Sequence, residues 1–324
     1  MSRISCCVLG VLFALAVPTA WSAQPAYPAK PIRMIIPMTP GTGVDAIARK
    51  ASDEMLPTLG QPLLVENRPG ANFIIGGEQC AHAPGDGYTF CILTSDNVAL
   101  NPAVFAKLPY DAEKDFKPVT NLYFLIEGIL TKASLPVNSI KELQSLAASR
   151  PGALNWGTLG AASTTDIARM WVGERWNTRF AGIPYKGGNL VTAALAASEI
   201  DLARIGVYNA LGLVKAGKVK VLAIGSSRRS AVMPGVPTYS EVGLGDMPGR
   251  AWWGVFAPGA TPDAAVRRLN SELLRVFRDP KFIEWIDTQM VEIAVSSPEE
   301  FATFVKADRE RAAQLVKRFN IPKQ

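Results

Sequence analysis

Pro37-Met38-Thr39-Pro40-Gly41-Thr42-Gly43-Val44-Asp45 follows a strand-like run, Ile32 to Ile36, and leads into apolar residues at Val44, Ile47, Ala48, Ala51 and Met55. That spacing is one face of a helix, so strand, glycine loop and helix start come in order. The glycines keep side chains out of the loop, and the first N–H groups of a helix have no partner within it. They also sit at the positive end of the helix dipole, which makes the loop a natural seat for a carboxylate or phosphate. Gly41 to Ala46 matches G-x-G-x-x-A as well, and Glu66 follows the next strand-like run, Pro62 to Val65, which is the outline of a dinucleotide-binding unit. The match is weak, because Pro37 and Pro40 make the loop longer and stiffer than that unit needs. A plain structural turn is the third reading, and the small-anion seat is the one the loop favours.

Strand-like and helix-like runs alternate from here on, which predicts an α/β fold with largely parallel sheets. Leu63 to Val65 and Tyr88 to Leu93 continue the strands, with a helix around Ile75 to Ala81, and Val119 to Leu130 is one long apolar segment. A second set follows: a helix near Ile140 to Ala148 behind Ser139 and Glu142, a strand at Leu154 to Trp156, a helix from Thr164, and strands at Ala181 to Tyr185, Ile200 to Ile205 and Val219 to Ile224. Ala251 to Phe256, a helix behind Thr261-Pro262 and a last helix behind Ser297-Pro298-Glu299-Glu300 complete the chain.

An internal echo points to a two-lobed design. Asp45-Ala46-Ile47-Ala48-Arg49 resembles Asp166-Ile167-Ala168-Arg169, which follows a second small-residue loop, Gly157-Thr158-Leu159-Gly160-Ala161-Ala162-Ser163-Thr164-Thr165. Two such loops facing across a cleft would clamp an anion from both sides, the second adding the hydroxyls of Ser163, Thr164 and Thr165. Chance similarity between two amphipathic helices stands beside that reading.

At the N-terminus, Arg3, the apolar run Ile4 to Val17 and Ala20-Trp21-Ser22 read as a secretory signal peptide cut after Ser22. The apolar run is shorter than the ~20 residues of a spanning helix. Of the four cysteines only Cys80 and Cys91 then remain, and an exported location permits a disulfide, although two buried free thiols serve equally well. The formal charge of +6 falls to +5 when Arg3 leaves with the leader. This mild excess suits a small anion and is too diffuse for nucleic acid. No G-x-S-x-G, no phosphate-loop motif and no acidic cluster with metal spacing occurs, and the single histidine, His82, sits on an expected helix. No cofactor, metal or catalytic residue is expected, and an exported enzyme acting on a small anion remains the minority alternative.

Tyr27-Pro28-Ala29-Lys30-Pro31-Ile32-Arg33, the loop Pro40 to Asp45, Val65-Glu66-Asn67-Arg68-Pro69-Gly70-Ala71, Gly85-Asp86-Gly87-Tyr88-Thr89, Leu108-Pro109-Tyr110-Asp111 and Pro184-Tyr185-Lys186-Gly187 together resemble the Bug receptor family. These are the periplasmic solute-binding proteins of tripartite tricarboxylate transporters. Lys215 to Lys218, Val236-Pro237-Thr238 and Phe256-Ala257-Pro258 extend the likeness along the chain. The resemblance implies a Venus flytrap of the periplasmic binding protein type II kind, α/β and two-lobed. Residues 23–124 and 249–324 would form lobe 1 and residues 125–248 lobe 2, behind a signal peptide at 1–22. It further implies a monomeric periplasmic receptor that hands a small carboxylate to membrane subunits.

Carried over residue by residue, the ligand set implied is Thr39, Gly41, Thr42, Gly43, Asn72, Phe73, Ser95, Asn97, Trp156, Gly160, Ala162, Ser163, Thr164, Thr165, Tyr185 and Arg204. Family members usually carry small residues where Asn72 and Phe73 stand, a histidine at Asp166, and Phe-Asp at Arg204-Ile205. Phe73 and Trp156 as flat apolar surfaces, with the Arg204 fork, favour an aromatic dicarboxylate such as terephthalate. An aliphatic di- or tricarboxylate is the alternative, as is an Arg204 turned to the outer face of its strand.

Overall fold

The computed structural model describes residues 27–324, so the leader expected over 1–22 lies outside the described residues. Two sheets organise the chain. The first contains β1 (Ile32–Ile36), β2 (Leu63–Asn67), β3 (Thr89–Thr94), β4 (Phe116–Leu125), β10 (Trp252–Pro258) and β11 (Val291–Ile293), in the order β11-β4-β10-β3-β1-β2. The second contains β5 (Glu127–Lys132), β6 (Asn155–Thr158), β7 (Ala181–Pro184), β8 (Leu202–Gly206) and β9 (Val219–Ile224), in the order β7-β6-β8-β5-β9. The six-stranded half carries helices α1 (Gly43–Leu59), α2 (Ile74–Ala81), α3 (Asn101–Val104), α8 (Asp263–Phe277), α9 (Pro280–Asp287) and α10 (Pro298–Arg318). The five-stranded half carries α4 (Ile140–Ser149), α5 (Thr164–Arg175), α6 (Gly188–Ala196) and α7 (Leu211–Lys215).

Largely parallel sheets were expected, and both sheets are mixed. β1 runs parallel to β2 and β3, and β6 parallel to β7 and β8. Two exceptions lie at the passages between halves, β10 antiparallel between β3 and β4 and β5 antiparallel between β8 and β9, and a third is the edge strand β11, antiparallel to β4. The segment Val119 to Leu130, read as one apolar stretch, divides at Ile126 into the end of β4 and the start of β5. A chain that leaves one sheet and re-enters it must run against the strands already there, and apolarity alone does not show the break.

β1 is apolar at every position but one because both faces of its sheet are covered. Ile32, Met34 and Ile36 pack with Val44, Ile47 and Met55 of α1 and Leu269 and Leu273 of α8. Ile35 faces the other way, towards Cys80, Cys91, Leu93 and Phe301. Cys80 and Cys91 are joined as a disulfide with Cα atoms 6.1 Å apart, which decides between bridge and free thiols by tying α2 to β3. A Cβ on Gly254 would overlap the Phe301 ring, so that glycine lets α10 lie close on β10.

The expected start of α10 is present in full: Ser297 accepts from the Glu300 N–H, Glu300 reaches back to the Ser297 N–H, and Pro298 opens the helix. α10 then runs from the first half to the second, where Arg318 pairs with Glu174 at 3.0 Å and Phe319 packs on the second core. Among the described residues, no helix is long and apolar enough to cross a membrane.

Candidate functional site

The echo between the two loops holds at the level of backbone geometry. Gly41 and Ala162, each just before a helix N-cap, are both left-handed, with φ of 80° and 62°. Thr42 and Ser163 are both extended N-caps. Three residues on, Asp45 Oδ2 accepts the Gly41 N–H at 3.0 Å and Asp166 Oδ2 accepts the Ala162 N–H at 3.1 Å. One turn further an arginine braces each carboxylate: Arg49 lies 3.0 Å from Asp45 and Arg169 2.7 Å from Asp166. Burial works against the charged form of Asp45, but Arg49, the Gly41 N–H and Asn67 outweigh it and hold the carboxyl below its usual range.

The two starts differ in their caps. Ser163 Oγ accepts from the Asp166 N–H and donates to the Gly160 carbonyl at 2.8 Å, while Thr165 Oγ1 accepts the Leu159 N–H at 2.9 Å. Thr42 gives no side-chain cap; its Oγ1 donates to the Thr39 carbonyl at 3.0 Å, which leaves the first turn of α1 open to an outside acceptor.

Each start abuts the opposite half. A Cβ placed on Gly43 would stand 3.3 Å from Tyr208 Cδ1, so the Tyr208 ring covers the start of α1. On the other side, Ala162 and Ile167 pack with Ala99 and Leu100 of the first half. Cavities open beside both. A small one, about 60 Å³, is lined by Thr42, Gly43, Tyr123, Tyr208 and Trp253. A larger one, about 550 Å³, is lined by Ser95 and Thr164 together with Phe124, the 245–250 segment and α10.

Behind these lies the loop before α2, where Ala71, Asn72 and Phe73 are all left-handed, with φ of 47°, 51° and 68°. Such a conformation costs a non-glycine residue about 1–2 kcal/mol and persists only when its surroundings impose it. Here two buried asparagines do so: Asn97 Nδ2 donates to the Phe73 carbonyl at 2.8 Å and Asn101 Nδ2 to the Asn72 carbonyl at 3.0 Å. Phe73 is thereby held half-buried, edge to face with Trp253 at 6.3 Å between centroids.

Thus Thr39, Gly41, Thr42, Gly43 and Phe73 stand on the first half's side of the boundary, and Gly160, Ala162, Ser163, Thr164 and Thr165 on the second's. Ser95 borders the larger cavity, and Tyr185, half-buried just past β7, donates its N–H to Thr158. Four of the expected ligand contacts are otherwise engaged. Asn97 is fully enclosed, its amide spent on Phe73 and its Oδ1 on the Thr94 N–H and hydroxyl. Asn72 Nδ2 donates to Asn101 at 2.9 Å. Trp156 is 0% exposed, edge to face with Phe180 in the core of the second half, because alternation along β6 turns it away from the boundary.

Arg204, whose orientation the sequence left open, is also buried. Its Nη2 donates to Glu127 Oε2 at 2.6 Å and to the Gly249 carbonyl at 2.7 Å, and its Nη1 to the Pro248 carbonyl at 2.9 Å. Glu127 begins β5 and Gly249 precedes β10, so this pair grips both passages between the halves instead of presenting a fork to a guest. Burial pushes the Glu127 carboxyl up and Arg204 draws it back. Next to it, burial pushes Asp96 up to about 7, with Glu127 and Asp308 adding to the rise. The sequence reading missed Tyr208, Phe124, Trp253 and the arginines of α10, none of which lies in a motif.

The family model described as tripartite tricarboxylate transporter family receptor matches residues 47–321. The UPF0065 protein in the tcbD-tcbE intergenic region of Pseudomonas sp. (strain P51) is 31% identical over 297 residues, 91% of this chain and 88% of that one. Periplasmic binding protein BugD superposes with a TM-score of 0.82 at 28% identity, covering 92% of this chain and 100% of its own. An R. palustris protein with adipate gives 0.85 at 26% identity over 92% and 100%. MatC from Rhodopseudomonas palustris with bound malate gives 0.78 at 28% over 90% and 100%. The two-sheet architecture is therefore that of the periplasmic binding proteins, as the resemblance implied. With the model match spanning most of its length, this chain belongs to the family of tripartite tricarboxylate transporter receptors.

Proposed function

We propose that the protein is a periplasmic receptor that captures a small dicarboxylate between its halves and returns it unchanged to membrane subunits of a tripartite transporter. In this reading residues 23–124 with 249–324 and residues 125–248 are two lobes of a monomer that close on the ligand. The observation that carries it is the pair of helix starts, built alike and each set against the opposite half. One carboxylate takes the uncapped first turn of α1 and the other the Ser163–Thr165 turn of α5, each worth about 1.5–3 kcal/mol as a charge-assisted hydrogen bond. The structural neighbours with adipate and malate support the ligand class.

The spacer between the two carboxylates is an aromatic body, as in terephthalate. Trp156 and Arg204 are engaged elsewhere, whereas Phe73, backed by Trp253, and Tyr208 stand half-buried on the first half's side and at the start of α1 and offer ring surface. A thermal-shift screen of the purified protein against terephthalate, adipate, malate and benzoate tests this. A ligand at a hundred times its Kd adds about 2.7 kcal/mol of stability. Terephthalate should give the largest shift, the diacids should exceed benzoate, and chromatography should recover every acid unaltered. Appearance of product would make the protein an enzyme, and a screen in which malate leads and terephthalate is silent would return the spacer to an aliphatic one.

A further inference from the structure

We propose that Asn97 and Asn101 are positioning residues for the site: by holding the Phe73 ring in one place they give the protein a preference for a flat, aromatic diacid over a flexible aliphatic one. This rests on the reading of the helix starts as a diacid seat and adds the element that sorts one diacid from another.

The two amides can be oriented in only one way. The Thr94 N–H is solely a donor, so the atom of Asn97 that meets it at 3.2 Å is Oδ1, and Nδ2 is left to reach the Phe73 carbonyl at 2.8 Å. The Asn72 carbonyl is solely an acceptor, so Asn101 meets it with Nδ2 at 3.0 Å and takes the Asn72 side-chain amide on Oδ1 at 2.9 Å. Two successive carbonyls of the left-handed run are thus fixed by side chains that are each 0% exposed. The Asn97 carbonyl is fixed in turn by the Tyr110 hydroxyl at 3.0 Å. Room for this arrangement is made in α2, where a Cβ on Gly77 would stand 3.0 Å from Asn97 Nδ2 and 2.9 Å from the Tyr110 ring.

The clamp also reaches both anion loops. Asn97 lies in a π-helical turn, Asp96–Leu100, whose Ala99 and Leu100 pack with Ala162 and Ile167 at the α5 start. Phe73 is the residue before α2, and that helix lies so close on the loop leading to α1 that a Cβ on Gly76 would stand 2.5 Å from Pro37 Cβ. Packed contacts therefore set the ring in register with both helix starts. A ring held there, backed by Trp253, meets a guest without having to be ordered on binding, whereas a loosened ring must be ordered anew. A rigid flat guest needs the ring where it stands, while a methylene chain bends to follow it.

Calorimetric titration of terephthalate and adipate into the parent, Phe73→Leu, Asn97→Leu and the double variant tests this, together with amide hydrogen exchange on the ligand-free proteins. Asn97→Leu should speed exchange at Ile74 and Gly77, whose N–H groups close on the Ala71 and Phe73 carbonyls, while β1 stays protected. The preference for terephthalate should fall about fivefold in each single variant, the worth of one aromatic contact. The double variant should lose no more than Phe73→Leu does, because Asn97 acts through that ring. A parental preference in Phe73→Leu or in a folded Asn97→Leu, losses that add in the double variant, or parental exchange at Ile74 and Gly77 would overturn the proposal. Should Asn97→Leu fail to fold, Asn101→Leu takes its place in the cycle, and if neither folds the preference of Phe73→Leu decides. A parent that takes both acids equally overturns the proposal and leaves the helix starts standing, whereas a parent that takes neither defeats the helix-start reading itself, so the two failures are told apart.

Discussion

Replacing Arg204 with methionine should unfold the protein more easily and leave ligand recognition nearly intact. The Arg204 and Glu127 side chains are 3% and 4% exposed, and the guanidinium donates to Glu127 and to the carbonyls of Pro248 and Gly249. Its removal strands a carboxylate already pressed by burial and leaves the chain's second passage without its anchor. Breaking one partner of a buried pair costs about 3–5 kcal/mol, whereas exchanging both partners for apolar side chains is often neutral or stabilising. Arg204→Met with Glu127→Met should therefore recover most of the loss. Urea unfolding of the parent, the single variant and the double variant, followed by circular dichroism, reads this directly. With a slope of about 2–3 kcal/mol per molar, the single variant's midpoint should fall by on the order of 1–2 M. Calorimetry on the same samples at a temperature where all are folded should give diacid affinities within a few-fold of each other. Parental stability in Arg204→Met, coupled with loss of the ligand, would refute the reasoning and hand the fork back to the guest.

Asp96 should impose a pH dependence of opposite sense to that of most carboxylates. Its folded value of about 7 lies above the ~3.9 of an unfolded chain. The stabilisation is thus complete below the unfolded value and is lost as pH rises through about 7. Asp96→Asn should remove that slope and exceed the parent above neutral pH; identical urea midpoints from pH 5 to 8 for both proteins would disprove it. Gly43→Val should drive Tyr208 off the start of α1, given the 3.3 Å approach of a Cβ there, and weaken diacid binding at least tenfold with fold retained; unchanged calorimetric affinity would remove that loop from the site. Cys80→Ala with Cys91→Ala opens a loop of 11 residues and should cost about 3 kcal/mol, and equal melting of parent and variant would show the bridge to be idle.

The elements with local signatures were legible in the sequence. The Ser297-Pro298-Glu299-Glu300 cap specified the start of α10, and the apolar spacing after Val44 specified α1, because in each case the deciding interactions lie within a few residues. The two small-residue loops at the starts of α1 and α5 were legible for the same reason, down to the matching aspartates. What escaped notice depends on contacts far apart in the chain. Antiparallel insertion of β10 between β3 and β4 leaves no mark on the residues that do it. Trp156 and Phe73 look alike as aromatic candidates, yet pleat direction sends one into the core while two asparagines hold the other at the boundary. Arg204 is a carboxylate fork in composition, and only the fold supplies Glu127 as its carboxylate.

The claim that two helix starts hold one diacid together is tested most directly by calorimetric titration of terephthalate and benzoate into the parent protein and into Ser163→Val, which removes from the α5 start alone its cap and the hydroxyl that ties it to Gly160. Terephthalate should bind the parent one to one and more tightly than benzoate by roughly tenfold or more, and Ser163→Val should erase most of that advantage while leaving benzoate little changed. Equal affinities for diacid and mono-acid in the parent, or an advantage untouched by Ser163→Val, would contradict it.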